Sequence, residues 1–270
     1  MQQTIAFIGG GNMASAIIGG LLQRGHGAGR IVVVEPLEPA RQKLQAQFGV
    51  GTLAQADATL QHAGLIVWAV KPQLFRAAAQ DVRAHTLQAV HLSVAAGIRS
   101  ASIAAWLENE RVVRSMPNTP ALIGKGISAL FARDAVSPAD RELAQAVLAC
   151  TGDVLWLTQE EQLDAVTALS GSGPAYMFYF MEAMRSAGSD MGLDPDQAYQ
   201  LAVATCIGAG ELARASSETP EVLRERVTSK GGTTYAALTA MEASGVKTAF
   251  MQAMHAARQR ARELGDEFGG

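Results

Sequence analysis

The first half of the chain alternates short apolar runs with segments in which apolar residues recur every three or four positions. The short runs are apolar throughout, as strands covered on both faces must be. They lie at residues 4–8, 30–35, 65–70, 90–96 and 111–115. A helix is predicted after the first run, with apolar positions at Ala14, Ile17, Ile18, Leu21 and Leu22. This repeated strand–helix–strand order predicts an α/β fold with a doubly wound parallel sheet.

A change of pattern near residue 160 divides the chain into two predicted domains. Two further strand candidates, at residues 126–132 and 153–157, extend the sheet of the first domain. Beyond them the pattern is helical, and Pro174, Pro195 and Pro220 lie just inside predicted helix starts, where a missing N–H group costs nothing. We therefore expect a sheet domain at residues 1–160 and an all-helical domain at residues 161–270. The small and apolar residues of the last helices favour interleaving with a second subunit over an ordinary helical core.

Composition narrows the range of partners. The 270 residues are 49% hydrophobic, enough for one large α/β domain and a smaller one. Lys and Arg total 22 against 25 Asp and Glu, a net charge of −3, so the chain lacks the basic surface that binds nucleic acid or anionic membranes. We expect a small-molecule partner.

The cysteines and the apolar runs indicate a cytoplasmic protein. Cys150 and Cys206 lie in apolar, helical settings far apart in the sequence, which favours buried reduced thiols over a disulfide. No apolar run is long enough to span a bilayer, and the start of the sequence lacks the pattern of a secretory signal.

A glycine-rich turn follows the first predicted strand. Gly9, Gly11 and Ala14 form the pattern GxGxxA between a strand and a helix, where the two glycines permit a tight turn and close approach of a pyrophosphate, and the alanine permits close packing. This context predicts a Rossmann-type domain that binds a nicotinamide or flavin nucleotide. The predicted cofactor-binding residues of the turn are Ile8, Gly9, Gly11, Asn12, Met13 and Ala14.

The second predicted strand ends at an acidic residue, Glu35. A carboxylate at this position usually binds the ribose 2′-hydroxyl of NAD and repels the 2′-phosphate of NADP. Arg41 follows on the next helix and suits a phosphate instead, and a solvated Glu35 is the third interpretation. The choice between NAD and NADP stays open on these residues.

Three more segments lie at strand ends, where open α/β sheets bind their ligands. Lys71 follows the apolar run at residues 65–70 directly, so a cofactor or substrate role is favoured over plain surface charge. The predicted cofactor-binding residues of this segment are Ala69, Val70, Lys71 and Pro72. Small residues ending the next strand admit a flat nicotinamide ring or, alternatively, close helix packing; they are Ala95, Ala96 and Gly97.

Asn118 lies between Pro117 and Pro120 in a segment that the prolines make rigid. Such a polar loop at a strand end suits the orientation of a ring amide or a substrate. We count Asn118 among the cofactor-binding residues.

Hydrolytic and metal chemistry have no support in the sequence. The segment SGSGPAY at residues 170–176 lacks the GxSxG spacing of a nucleophile elbow, and none of the 5 histidines has a recognisable acid partner. Neither an HExxH motif nor a Cys and His cluster is present, so no metal site is predicted.

A pair of glycines, Gly231 and Gly232, interrupts the helical half of the chain within the segment VTSKGGTTY. Consecutive bare N–H groups at a helix start form a nest that binds an anion, and about three such bonds at ~1.5–3 kcal/mol each hold a carboxylate. A second anion site predicts a small carboxylic acid as substrate. The alternative is a plain turn between two helices with a threonine as N-cap.

Taken together, the segments FIGGGNMA, AVKPQ, SVAAG, RSMPNTP, SGSGPAY and SKGGTT, in this order across nearly the whole chain, resemble pyrroline-5-carboxylate reductases. The resemblance implies a Rossmann domain that binds NADPH or NADH and a helical domain that forms a homodimer, in some members assembled into a decamer. It implies reduction of the C=N bond of 1-pyrroline-5-carboxylate to L-proline, the last step of proline biosynthesis.

The same resemblance assigns the residues of the substrate site. The substrate-binding positions it implies are Ser229, Gly231, Gly232, Thr233 and Thr234. By this resemblance Thr234 faces the ring nitrogen. We count Thr234 and Lys71 as the catalytic residues, with Lys71 shaping the cofactor side of the site rather than acting as the acid. The chain departs from many relatives at Lys230, where they have proline, and at Ala56, where they have asparagine. The second departure leaves cofactor preference open.

Two other functions remain as alternatives. A β-hydroxyacid dehydrogenase also joins a Rossmann domain to helices, but it needs a lysine in the segment at residues 174–182, which contains none. A nucleotide-sensing module would bind cofactor without turnover and would not need the glycine nest.

Overall fold

The fold is that of a computed structural model, which describes residues 3–269. Residues up to 172, together with those from 257 onward, form one compact unit, here the first unit, and residues 173–256 form the second unit. The predicted boundary at residue 160 coincides with the end of the strands rather than with this division, and it stays a prediction.

An eight-stranded sheet forms the centre of the first unit, in the order β3-β2-β1-β4-β5-β6-β7-β8. The strands are β1 (Thr4–Ile8), β2 (Ile31–Val34), β3 (Gly51–Leu53), β4 (Ala63–Trp68), β5 (Val90–Ser93), β6 (Val112–Met116), β7 (Gly126–Ala132) and β8 (Gly152–Trp156). Its helices are α1 (Asn12–Gln23), α2 (Glu38–Phe48), α3 (Pro72–Val82), α4 (Ser100–Leu107), α5 (Pro138–Ala149) and α6 (Gln162–Val166).

The predicted doubly wound parallel sheet is confirmed, with one exception at β7. Strands β1 to β6 run parallel, whereas β7 pairs antiparallel with β6, and β8 runs parallel to β7. The predicted bounds of β1 and β7 agree with the structure, and β4 ends at Trp68, two residues before the predicted Val70. Consequently Ala69 and Val70 lie in the turn after β4.

Two apolar clusters cover the sheet, one on each face. Because successive side chains of a strand point to opposite faces, Ile5 and Phe7 of β1 belong to one cluster, and Ala6 and Ile8 belong to the other. Helices α1 and α5 contribute to the first cluster, and α3 and α4 contribute to the second. The runs are therefore apolar throughout because both faces of the strands are buried.

The second unit is helical, as predicted. It contains α7 (Gly173–Asp190), α8 (Pro195–Ala215), α9 (Pro220–Arg226), α10 (Thr233–Ala243) and the first part of α11 (Val246–Phe268), whose last turns belong to the first unit. Tyr176 and Phe180 pack edge-on against Phe250 with ring centroids 5.6 and 5.5 Å apart. Pro174, Pro195 and Pro220 stand in the first turns of α7, α8 and α9, as the sequence predicts.

Large apolar side chains remain exposed on the second unit in the single chain. The exposed fraction is 63% for Phe178, 78% for Met191 and 68% for Leu212. Apolar patches of this extent usually mark an interface. In the described part of the chain, residues 3–269, no helix is both long and apolar enough to cross a membrane.

A buried histidine in β5 links the sheet to α3. The indole N–H of Trp68 donates to Nδ1 of His91 at 3.1 Å, and Trp68 stacks on Phe75 with ring centroids 4.5 Å apart. Burial lowers the pKa of His91 from 6.5 to about 4. The folded chain therefore keeps this imidazole neutral at pH values where the unfolded chain protonates it.

We predict that the free energy of unfolding falls as the pH decreases from 6.5 to 4 because protonation of His91 favours the unfolded chain in this window. This contribution amounts to about 3 kcal/mol and levels off below pH 4. Urea unfolding followed by tryptophan fluorescence at pH 7, 5.5 and 4 measures it. His91→Gln should flatten the pH dependence, whereas the control His62→Gln, at an exposed histidine, should not. Equal slopes for His91→Gln and the unsubstituted protein would contradict the prediction.

Candidate functional site

The turn between β1 and α1 has the geometry that the GxGxxA pattern predicts. Gly9 adopts φ +94°, and a Cβ at this position would lie 2.7 Å from the carbonyl oxygen of Ala69. A Cβ at Gly11 would meet no atom within 4 Å. Ala14 is fully buried beneath the turn. Gly9 therefore lets the turn pass close to the backbone of Ala69, and Gly11 leaves the backbone open to a ligand. Ala14 allows α1 to pack closely against the sheet.

Helix α1 begins with backbone N–H groups that no side chain caps. Its N-cap is Gly11, which makes no side-chain hydrogen bond, and Gly11 and Asn12 are exposed. Ile8 is buried at the end of β1, and Met13 packs against the first apolar cluster. An uncapped helix start beside an open glycine fits the pyrophosphate of a dinucleotide.

Helix α4 begins at the same edge of the sheet but has its N-terminus filled. The carboxylate of Glu160 accepts hydrogen bonds from the Ser100 N–H at 2.6 Å, from the Ser100 hydroxyl and from the Arg114 guanidinium at 2.6 Å. Burial opposes ionisation of Glu160, but Arg114 and Ser100 outweigh it and lower its pKa. The chain thus supplies an acceptor to the first N–H group of α4, whereas the carboxylate nearest the start of α1, that of Glu35, bonds to Gly10, one residue before the N-cap.

Glu35 lies at the end of β2, and its carboxylate reaches back to the glycine turn. Oε2 accepts a hydrogen bond from the Gly10 N–H at 2.9 Å, and Oε1 accepts one from the Leu37 N–H at 3.0 Å. The Glu35 carboxylate is therefore hydrogen-bonded to the backbone, and the interpretation of a merely solvated glutamate does not describe it. The sequence interpretation overlooked Gly10; the middle position of the GGG run was the available signal.

The turn between β4 and α3 places Lys71 at the sheet edge next to β1. The Ala69 N–H donates to the carbonyl of Ile8 at 2.8 Å, which extends the β1–β4 pairing into the turn. Lys71 is the exposed N-cap of α3, and Pro72 occupies the first helical position. The strand order turns back between β1 and β4, the crevice where dinucleotides bind in such sheets.

The turn after β5 is covered by the last turns of α11. Gly97 has φ +73°, and a Cβ on it would lie 3.1 Å from Cβ of Leu264 and 3.5 Å from Phe268. Ala95 is buried and Ala96 is half-buried. Close helix packing, the alternative interpretation, therefore accounts for the glycine. Contact of Ala96 and Gly97 with a nicotinamide ring stays a prediction.

Asn118 joins three parts of the first unit. Its Oδ1 accepts from the Ile127 N–H at 3.0 Å, and its Nδ2 donates to the carbonyl of Ser170 at 3.2 Å. The amide thus fixes the loop after β6 against β7 and residue 170. These hydrogen bonds lie within the chain, and the contact of Asn118 with the cofactor stays a prediction.

The predicted substrate residues lie together in the second unit, at the start of α10. The Gly232 N–H donates to the Ser229 carbonyl at 3.0 Å, closing a tight turn in which Gly231 has φ +74°. A Cβ at Gly232 would lie 2.5 Å from the Ser229 hydroxyl. Gly232 is the N-cap of α10 and makes no side-chain bond. The alternative, a threonine N-cap, is wrong, because Thr233 and Thr234 are already helical.

Metal ligands and reactive thiols were the other candidates for a functional site. Within residues 3–269, no group of three or more His, Cys, Asp and Glu side chains could hold a metal ion. Cys150 and Cys206 are free thiols, and burial raises the pKa of Cys150 to about 11, which keeps this thiol protonated and unreactive.

Two segments of the chain match models of known protein families. Residues 160–264 match the family model for pyrroline-5-carboxylate reductase dimerisation, and residues 4–97 match the model for NADP oxidoreductase, coenzyme F420-dependent. The pyrroline-5-carboxylate reductase of Pseudomonas aeruginosa is 43% identical over 267 residues, covering 98% of both chains. This chain belongs to the pyrroline-5-carboxylate reductase family.

Further relatives agree over the same length. The pyrroline-5-carboxylate reductase of Pasteurella multocida is 40% identical and covers 97% of this chain and 98% of its own. The solved structure of a pyrroline-5-carboxylate reductase from Coxiella burnetii superposes with a TM-score of 0.92 at 34% identity and covers 98% of this chain and 99% of its own. The turn from Ser229 to Thr234 thus lies inside the family's dimerisation region.

A matched pair of substitutions separates the two glycines of the β1–α1 turn. Gly9→Ala should destabilise the fold by about 3 kcal/mol or more, since it combines a strained φ with a backbone clash. Gly11→Ala should cost about 1 kcal/mol or less because its Cβ enters open space at an N-cap. Urea unfolding of both variants measures the difference. Equal losses would show that the crossing at Ala69 does not constrain the turn.

Proposed function

We propose that the protein is an NAD(P)H-dependent oxidoreductase that reduces the C=N bond of 1-pyrroline-5-carboxylate to L-proline, the last step of proline biosynthesis. The observation that carries this proposal is the match at 43% identity across 98% of the chain to a pyrroline-5-carboxylate reductase. The glycine N-caps of α1 in the first unit and α10 in the second fit an anionic dinucleotide and a carboxylate substrate.

The first unit holds the dinucleotide in this proposal. The N–H groups at the start of α1 face the pyrophosphate, with Gly11 leaving room for its approach. The turn residues Ala69, Val70, Lys71 and Pro72 line the neighbouring strand end. The bound reduced nicotinamide supplies a hydride to the ring carbon, and one proton on the ring nitrogen completes the C–H and N–H bonds of proline.

The second unit holds the substrate carboxylate. The turn at Gly231 and Gly232 leads into the positive end of the α10 dipole, where the first helical turn has backbone N–H groups without intrahelical partners, and the Ser229 hydroxyl stands beside Gly232. A helix start that lacks a side-chain cap has donors to offer to a ligand. Lys230 adds a positive charge to the same turn and favours an anion further.

Thr234 is the proposed catalytic residue that orients the ring nitrogen, directly or through water. It lies one residue into α10, next to the carboxylate nest, so both functions come from one turn. A protonated imine is already electrophilic, so positioning and electrostatics supply most of the catalysis. Lys71 shapes the cofactor side and is not the acid, since a cation beside an iminium opposes the charge required.

The proposal includes assembly through the second unit. The family model for dimerisation spans residues 160–264, and apolar side chains such as Phe178, Met191 and Leu212 need a partner surface. A homodimer buries them, and further association of five dimers into a decamer is compatible with this unit. The free thiols of Cys150 and Cys206 suit a reducing, cytoplasmic setting.

The proposed reaction is tested by the loss of reduced-nicotinamide absorbance when 1-pyrroline-5-carboxylate is added. We expect saturable turnover and formation of proline in equal amount. A parallel assay with an open-chain 2-keto acid serves as the control and should be inactive. Protein that binds cofactor but reduces no cyclic imine would exclude the proposal and favour a nucleotide sensor.

Thr234→Ala should lower kcat/KM for the imine on the order of ten- to a hundredfold, because it removes a group placed at the reacting nitrogen. Cofactor affinity should not change. The matched control is Thr239→Ala, since the Thr239 hydroxyl bonds to its own helix at the Tyr235 carbonyl. Steady-state kinetics with cofactor titration measures both, and equal kcat/KM for the two variants would remove Thr234 from the mechanism.

A further inference from the structure

We infer that this protein binds NADH in preference to NADPH and that Glu35 determines the preference. The inference rests on the proposed function because it concerns the cofactor of the same reaction. The inference goes beyond the proposed function because NADH and NADPH deliver the same hydride and differ only at the adenosine ribose. A carboxylate at the end of β2 accepts a hydrogen bond from the ribose 2′-hydroxyl and repels a 2′-phosphate.

Two backbone donors on different turns hold the Glu35 carboxylate in place. One oxygen accepts from the Gly10 N–H at 2.9 Å, and the other accepts from the Leu37 N–H at 3.0 Å. Each oxygen keeps a lone pair for a further donor. To move away from a 2′-phosphate, the side chain would give up two charge-assisted hydrogen bonds. The negative charge is therefore a fixed part of the turn.

Gly10 makes this arrangement possible. A Cβ at Gly10 would lie 2.6 Å from Cδ1 of Leu44 and 3.4 Å from the bonded oxygen of Glu35. With glycine, the turn that leads to the open backbone of Gly11 approaches both α2 and the carboxylate. The glycine turn and the charge at the end of β2 are thus parts of one structure.

Arg41 does not pair with the Glu35 carboxylate, and its guanidinium is already bonded to backbone carbonyls. One of its amino groups, Nη1, donates to the carbonyls of Glu35 at 2.8 Å and of Pro36 at 2.7 Å. Its guanidinium is therefore anchored to the backbone of the β2–α2 turn. The other charged groups at the start of α2 are Glu38 and Lys43, and both are exposed.

Isothermal titration calorimetry of NADH and NADPH with the intact protein tests the inference without turnover. We expect NADH to bind the unsubstituted protein at least tenfold more tightly than NADPH. Glu35→Gln should reduce this ratio tenfold or more, mainly by tighter NADPH binding, since it removes the charge. The matched control, Glu38→Gln, changes an exposed carboxylate in the first turn of α2 and should leave the ratio unchanged.

Equal affinities, tighter NADPH binding or an unchanged ratio in Glu35→Gln would each overturn the inference. Arg41→Ala supplies an independent arm: a loss of NADPH affinity tenfold greater than the loss of NADH affinity would assign the ribose site to Arg41 instead. The ratio for the unsubstituted protein needs no variant to fold. Imine reduction with NADPH preferred would overturn the inference alone, whereas tight NADH binding without imine reduction would overturn the proposed function alone.

Discussion

The close approach of Gly9 to the carbonyl of Ala69 is the constraint on which the rest of the site depends. A side chain at residue 9 would strike this carbonyl at 2.7 Å. Because the two turns touch, the ends of β1 and β4 stay together where the strand order turns back. The N-terminus of α1 is thereby directed to the crevice between them. The geometry of this turn thus depends on the absence of one methyl group.

The helices of this chain differ in whether a side chain accepts hydrogen bonds from the N–H groups of their first turn. At α4 the chain satisfies the helix start with Glu160, a carboxylate from a distant segment held by Arg114. At α1 and α10 the N-caps are glycines without side-chain bonds. A glycine cap is less stabilising than a Ser or Asp cap, and the exposed donors remain available. Local stability is therefore lower at these two glycine-capped helix starts.

Most of the fold could be predicted from the sequence because both faces of the strands are buried and strand runs differ visibly from helical periods. β3 (Gly51–Leu53) was not predicted because a strand of three residues that includes a glycine is too short to show an apolar pattern. The direction of β7 could not be predicted, since apolar alternation is the same for parallel and antiparallel pairing. The packing of Gly97 against Leu264 and Phe268 could not be predicted, because these two residues come from a distant segment of the chain. The local site motifs were readable, whereas the partners that arrive from far along the chain were not.

The first unit is built from two stretches that lie far apart in the sequence, since the last turns of α11 pack over Gly97. Arg99 pairs with Asp266, and the Ser102 hydroxyl donates to the Gly269 carbonyl at 2.8 Å. A ribosome makes the chain from its N-terminus, so all eight strands are synthesised before the segment that covers the turn after β5. The first unit can therefore be completed only after the whole second unit has been synthesised.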